Sequence, residues 1–250
     1  MKLICFEKNG KVMNGVVVDN EISVIKGSIF ECFSVTTEKY LLNDVKIHPP
    51  CMPTKVICVG LNYRDHVEES GAAIPTSPVI FMKPPTAVIG HLDNIVYPEI
   101  SKRVDFECEL AVVIGKETKN ISIEEAKDSV LGYTCGNDVT ARDLQPGDGQ
   151  WTIAKGFDTF LPLGPWIETE ADPSNLNIKT LLNGELKQNS NTKNLIFNVY
   201  TLISYISRIM TLKPGDVIMT GTPCGISPME KSDEVIIEIE NIGRLINYIK

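Results

Sequence analysis

The stretch VDFECELAVVIG, residues 104 to 115, constrains the fold more than any other segment. Read as a strand it alternates with period 2, so Phe106, Cys108, Leu110, Val112 and Ile114 face one side and Asp105, Glu107 and Glu109 the other. The first row is ordinary core. The acidic row continues into Ala111 and Val113, so that side also runs into protein interior. Alternate side chains lie roughly 7 Å apart, and at an effective dielectric of 20 two carboxylates at that spacing repel by roughly 2.5 kcal/mol. Acids lined up at the edge of a core call for a compensating charge.

A hard divalent cation supplies one, because Mg²⁺ or Mn²⁺ takes oxygen ligands and turns mutual repulsion into shared attraction. The third acid such a half-shell needs is best supplied by Asp138, in the pocket-like segment CGNDVTARDLQ. From the E-x-E pair alone, a solvated acidic strand face is the more economical reading. A second constellation is GLNYRDHVEES. If it turns helical, His66 and Glu69 stand at i and i+3, where the carboxylate can orient the imidazole as a water-activating dyad. A surface helix with an incidental ion pair would read the same way. His48 and His91 lack metal-ligand spacing and carry no role.

Lys83 ends PVIFMK, and Lys155 sits among apolar neighbours in WTIAKGFDTF. Such lysines either snorkel to solvent, the commoner fate, or face an anionic ligand. In MTGTPCG, Gly221 and Thr222 follow a buried strand, where free backbone N–H groups and a hydroxyl can receive a carboxylate; a plain tight turn is the alternative.

The organisation around these motifs is mostly β. Short strand-like runs (KLICF, VVVD, ISVI) precede the proline-rich IHPPCMP, which gives a small N-terminal β domain and linker over 1–50 and a main domain over 51–250. SIEEAKDSVLG predicts a short amphipathic helix from the capping box Ser122/Glu125 to Gly132, and a second helix is expected over 198–211. Strands outnumber helices without a βαβ rhythm, so the class is α+β with folded-over sheets. A net charge of −8 without a basic run argues against nucleic acid or anionic membrane as partners. No apolar run approaches the ~20 residues of a membrane span and no signal-peptide pattern opens the chain, so a cytoplasmic protein is expected. Seven scattered cysteines without C-x-x-C support neither a disulfide framework nor a zinc knuckle.

Six motifs in order, VGLNYRDHVEES, FMKPPTAV, DFECELAVVIG, GNDVTARDLQ, WTIAKGFDTFLPLGPW and LKPGDVIMTGTPCG, resemble the fumarylacetoacetate hydrolase family from about residue 54 to the C-terminus. The resemblance implies a mixed β-sandwich roll behind a small N-terminal β domain, assembled as a homodimer. It implies Mg²⁺ or Mn²⁺, with Ca²⁺ a further candidate, on Glu107, Glu109 and Asp138, and a water-activating pair in His66 and Glu69. Lys155 matches the family's pocket lysine, a catalytic candidate that in a decarboxylase or tautomerase would handle the proton in place of the His66–Glu69 pair. Arg142 and Gln145 match its substrate-facing loop, Thr222 the position that holds a substrate carboxylate, and Lys83 a recurrent lysine. Founding members carry a metal-binding aspartate seven residues before the histidine, where this chain has Val59. The pattern is that of shorter members: acylpyruvate hydrolases, oxaloacetate decarboxylases and tautomerases, and 2-hydroxyhepta-2,4-diene-1,7-dioate isomerases. The implied activity is cation-dependent chemistry on 2-oxo or 1,3-dicarbonyl carboxylates through an enolate, by C–C hydrolysis or decarboxylation, with tautomerisation or isomerisation as the alternative. A non-catalytic protein binding a cation and small acids is the alternative of another class.

Overall fold

In the computed structural model of the protein, which describes residues 1–147 and 149–250, the strand Cys108–Ile114 is buried along its whole length. It pairs antiparallel with Val130–Asn137 on one side and Val217–Met219 on the other. The acidic stretch is not one strand. Val104–Asp105 belongs to a separate three-stranded sheet with Thr140–Ala141 and Pro228–Met229, and the chain leaves ladder geometry at Phe106 and Glu107 before pairing again.

Among the described residues the main sheet has 12 strands. It runs from the N-terminal meander Phe33–Leu41, Glu21–Gly27, Lys11–Val18 and Lys2–Lys8, through Leu161–Glu168, 130–137, 108–114 and 217–219, to Val56–Gly60 and the edge strand Val79–Lys83. The parallel pairing of 217–219 with 56–60 makes the sheet mixed. The N-terminal strands are hydrogen-bonded into it, with Lys2 opposite Glu168 and Leu3 opposite Ile167.

A five-stranded sheet, Glu185–Asn191, Asn177–Leu182, Glu234–Ile239, Gly243–Ile249 and Asn94–Ile95, folds over the main one. Between them lies the largest core, where Leu110, Val112 and Ile114 meet Ile178, Val235, Ile237 and Leu245. Ala111 and Val113, on the opposite face of the 108–114 strand, pack with Val56, Cys58, Leu161 and Met219 in a second core. The face that carries Glu109 therefore does enter the interior, as the pattern required.

The helix Val199–Ile209 matches its expectation: Asn198 caps it by accepting from the Thr201 N–H at 3.0 Å, and Val199, Leu202, Ile203 and Ile206 form its buried stripe. The helix expected over 122–132 does not form. The capping box itself closes, with Ser122 N–H donating to Glu125 Oε2 at 2.8 Å and Glu125 N–H to Ser122 Oγ at 3.3 Å. It leads only to a 3₁₀ turn, Ala126–Ser129, because the 130–137 strand begins immediately. Gly132 is a close-approach residue of that strand and not a helix cap: a Cβ there would lie 2.5 Å from the Glu168 carbonyl oxygen. No helix is long and apolar enough to cross a membrane among the described residues. All seven cysteines are free thiols.

Candidate active site

The open end of the second core is closed by charge. Glu107 immediately precedes the 108–114 strand, Glu109 is its second residue and Asp138 follows the 130–137 strand, and a hydrogen bond from Asp138 N–H to the Glu107 carbonyl at 2.9 Å holds the two segments together. One carboxylate oxygen from each of the three acids lies within 4.8 Å of the others, and all three residues are buried. They form one wall of a cavity of about 310 Å³ that is also lined by Val59, His66, Phe81, Arg142, Gln145, Trp151, Lys155 and Thr222.

Two lysines answer the acids. Lys155, at the end of the short helix Thr152–Lys155, donates to Glu107 Oε2 at 2.9 Å, Asp138 Oδ2 at 2.7 Å and Thr140 Oγ1 at 2.9 Å. All three N–H directions of its ammonium are engaged. Its Nζ also stands 4.9 Å from the centre of the Phe81 ring, which packs edge-on against Trp151. Lys83 donates to Asp138 Oδ1 at 2.6 Å and to the Val139 carbonyl at 2.8 Å. At 1% and 2% exposure Lys83 and Lys155 do not snorkel. Lys83 lies behind Asp138 and is not part of the cavity wall, so the substrate contact expected of it gives way to a buried counter-ion.

The electrostatics are uneven across the cluster. Burial pushes Glu107 up, but Lys155 and Arg142 outweigh it and hold its carboxyl at about 2. Glu109 is the opposite case: burial, then the charges of Asp138 and Glu107, push its carboxyl well above the usual range. Its bond from the Gly221 N–H, at 2.8 Å, only partly offsets this. Burial lowers Lys155, yet Asp138 and Glu107 more than restore it, so it stays a firm ammonium. A buried carboxylate crowded by two others, with one oxygen of each within 4.8 Å of the rest, fits a hard divalent cation with oxygen ligands. Val59, in the position where founding members of the resembled family have an aspartate, adds no fourth carboxylate to that wall.

Asp105, the remaining acid of the row, points elsewhere. Fully buried, it accepts from Arg142 Nε at 2.9 Å and from Arg103 Nε at 2.9 Å. Arg142 also donates to Gln145 Oε1 at 2.6 Å and to Glu107 Oε1, and each terminal nitrogen keeps a further N–H. Sequence alone does not separate Asp105 from the metal-ligand candidates, because it shares their alternate spacing. Thr140 and Asn137 were also missed. Thr140 donates to Glu107 Oε1 at 3.2 Å, and Asn137 Oδ1 accepts the Glu107 N–H at 2.9 Å.

His66 and Glu69 ride on the helix Arg64–Ser70, which ends on Gly71 at φ 66°. Nδ1 of His66 faces Glu69 Oε2 at 3.4 Å, a long contact, and Glu69 also accepts from the Gly225 N–H at 3.1 Å. Of the pair only His66 lines the cavity. Gly221, expected to offer its N–H to a substrate, has that group bonded to Glu109. Its φ of 99° and the 2.9 Å between a Cβ placed there and Asn62 Cβ explain why the position is glycine. Thr222 does line the cavity, with its hydroxyl accepting from Gln188 Nε2 at 2.9 Å. The 145–152 segment supplies Gln145, Pro146, Gly147 and Trp151 to the wall, with residue 148 outside the described residues, whereas nothing from 68–78 lines the cavity.

A folded-over mixed β roll with a carboxylate triad and a histidine lining one cavity is the frame of an enzyme for small molecules. The chain belongs to the fumarylacetoacetate hydrolase family: residues 55–250 match the model described as fumarylacetoacetate (FAA) hydrolase C-terminal, and residues 1–50 match Rv2993c-like, N-terminal. It is 46% identical to the mitochondrial oxaloacetate tautomerase FAHD2B of Bos taurus, over 80% of this chain and 68% of that one. Its structure superposes with a TM-score of 0.93 on 2-hydroxyhepta-2,4-diene-1,7-dioate isomerase from Mycobacterium marinum, at 42% identity, covering 100% of this chain and 98% of that one. It also superposes with a TM-score of 0.73 on fumarylpyruvate hydrolase from Pseudomonas aeruginosa in complex with Mn²⁺ and pyruvate, at 33% identity, covering 82% of this chain and 91% of that one.

Proposed function

We propose that this protein is a divalent-cation-dependent enzyme acting on 2-oxo or 1,3-dicarbonyl carboxylates, with C–C bond hydrolysis of the acylpyruvate type as its reaction. The observation that carries the reading is the convergence of Glu107, Glu109 and Asp138 within 4.8 Å, at a cavity that also presents His66, Arg142 and Thr222. These three carboxylates would hold Mg²⁺ or Mn²⁺, which supplies Lewis-acid polarisation of a 2-oxo group.

The remaining work falls to this chain's own side chains. Lys155, Lys83 and Arg142 match the three acids in charge, so a bound divalent cation leaves the pocket two charges positive, which suits a substrate dianion. Lys155, with every N–H engaged, acts through its charge and holds Glu107 and Asp138 in place. Thr222 and the N–H groups of Arg142 left over from its bonds to Asp105, Gln145 and Glu107 receive carboxylate oxygens of the substrate. His66, with Nδ1 turned to Glu69, takes a proton from water at Nε2 and returns it to the carbon that leaves. Phe81, Trp151 and Val59 keep bulk water from the reacting carbon.

A second reading, tautomerisation of oxaloacetate, has a specific support in the 46% identity to a protein named for that activity. In that case His66 moves a proton between oxygen and carbon and no water is activated. Steady-state assays with Mg²⁺ or Mn²⁺ and with EDTA, against acetylpyruvate and both tautomers of oxaloacetate, test the two. Cation-dependent loss of acetylpyruvate supports hydrolysis, and accelerated enol–keto exchange alone supports the second reading. Activity of any kind that survives complete removal of metal overturns both.

A further inference from the structure

We propose that Gln188 is a positioning residue that fixes the Thr222 hydroxyl as a hydrogen-bond donor toward the cavity, so that this corner of the site selects a carboxylate over a neutral amide. The inference rests on the proposed binding of a 2-oxo carboxylate in the same cavity and adds the device that sets its polarity. Gln188 lies on the 185–191 strand, at the rim of the folded-over sheet, and is fully buried. Apart from the exposed Leu186 its strand is polar and gives no hint of a role in the site.

The orientation of the Gln188 amide is dictated by two main-chain groups that cannot exchange roles. The Cys108 N–H can only donate, and it lies 3.0 Å from Oε1. The Pro223 carbonyl can only accept, and it lies 2.9 Å from Nε2. A third bond, from Thr180 Oγ1 to Oε1 at 2.8 Å, adds to the acceptor side. The amide is therefore not free to flip, and its second N–H falls on Thr222 Oγ1 at 2.9 Å.

Thr222 must then accept on that side. Its own O–H is left to donate, and it has no acceptor among the described residues, while Thr222 itself is 5% exposed and lines the cavity. A buried hydroxyl hydrogen with no partner among the described residues faces a ligand that must bring the acceptor. A carboxylate does so; an –NH₂ group presented at the same point brings another donor. Gln188 thereby links three segments of the site: the start of the 108–114 strand, the 221–223 turn, and its own strand.

The test is a double-mutant cycle read by calorimetry on Mn²⁺-loaded protein, with pyruvate and its neutral amide as probes. Thr222→Val should weaken pyruvate by about tenfold or more, the scale of one hydrogen bond to a charged group, with little effect on the amide. Gln188→Glu keeps the acceptor for Cys108 and Thr180 but removes the N–H aimed at Thr222, and should lower the pyruvate-to-amide preference by a similar factor. In the Thr222→Val background the same change should lower that preference less, leaving only the repulsion between the new carboxylate and pyruvate, because the rest of its effect acts through the hydroxyl. Undiminished preference in a folded Gln188→Glu variant, or an equal loss in both backgrounds, overturns the proposal. Should Gln188→Glu not fold, a neutron structure of the deuterated wild-type protein decides: deuterium on Thr222 pointing into the cavity supports the proposal, and pointing at Gln188 overturns it. Wild-type protein that binds neither pyruvate nor its amide overturns the functional reading itself, and the role of Gln188 with it, which separates that failure from the failure of Gln188 alone.

Discussion

Glu109→Gln separates what the acidic cluster does for stability from what it does for a cation. Glu109 Oε2 receives the Gly221 N–H at 2.8 Å, and a glutamine of the same length can still accept that bond through its carbonyl oxygen. Its new N–H₂ would face Glu107 and Asp138, whose oxygens lie within 4.8 Å. At that distance each like-charge pair costs roughly 3.5 kcal/mol at an effective dielectric of 20. Lys155 offsets part of this, and uptake of a proton by the crowded Glu109 limits it further, so the net gain without metal falls between zero and ~3 kcal/mol. The metal-free variant should melt at the wild-type temperature or a few degrees above. Wild-type protein at 100 times its dissociation constant for Mn²⁺ gains about 2.7 kcal/mol, and at 2–4 °C per kcal/mol for a chain of this size that is a shift of roughly 5–11 °C. In Glu109→Gln that shift should vanish along with activity. A variant that melts well below wild type without metal, or keeps the full Mn²⁺ shift, refutes the assignment of Glu109 as a cation ligand held at electrostatic cost.

Three further outcomes follow from the geometry. His66→Ala should lower acetylpyruvate hydrolysis by roughly 10²-fold or more while leaving the Mn²⁺ melting shift intact; loss of both together would place His66 in the cation site. Asp105→Asn removes the charge that holds Arg142 Nε and should raise KM for carboxylate substrates about tenfold with a smaller change in kcat, whereas an unchanged KM would show that Arg142 needs no such anchor. Asp216 accepts from the Thr54 and Lys55 N–H groups at 3.1 Å each, from Lys213 N–H at 2.7 Å, and from the Lys55 ammonium. Burial pushes Asp216 up, but these bonds outweigh it and depress its carboxyl below the ordinary value. Its stabilisation is therefore complete above the unfolded-state value of ~3.9 and is lost as pH falls through the depressed folded value. Asp216→Ala should cost about 3–5 kcal/mol at pH 7 and flatten the acid limb of melting temperature against pH; an acid limb that keeps its wild-type slope would contradict this.

What the sequence determined by itself was set by local pattern. Period-2 alternation placed Glu109 on the opposite face of a strand from Leu110, Val112 and Ile114, and it lies there, because strand side chains alternate whatever surrounds them; Glu107, one residue before that strand, joins it at the same cavity. Asn198 and the stripe that follows it specified the Val199–Ile209 helix by the same kind of local rule. Six ordered motifs indicated the family. Where several long-range partners compete, the local signal failed: the capping box at Ser122 and Glu125 forms its two bonds, yet strand pairing of the next residues with 108–114 and 161–168 leaves room for only one 3₁₀ turn.

Only the tertiary structure could decide which acid faces which charge. Asp105 and Glu107 have the same spacing and chemistry, but the break at Phe106 sends one to Arg142 and Arg103 and leaves the other beside Glu109 and Asp138. Lys83 and Lys155 read alike in sequence, and folding put one behind Asp138 and the other at the cavity wall. Gln188 meets Cys108, 80 residues away in the chain, and Thr222, 34 residues away. Alternation sets which face of a strand a residue occupies, whereas its charge partner depends on which segments the sheets bring together, and that is a property of long-range packing that no local period encodes.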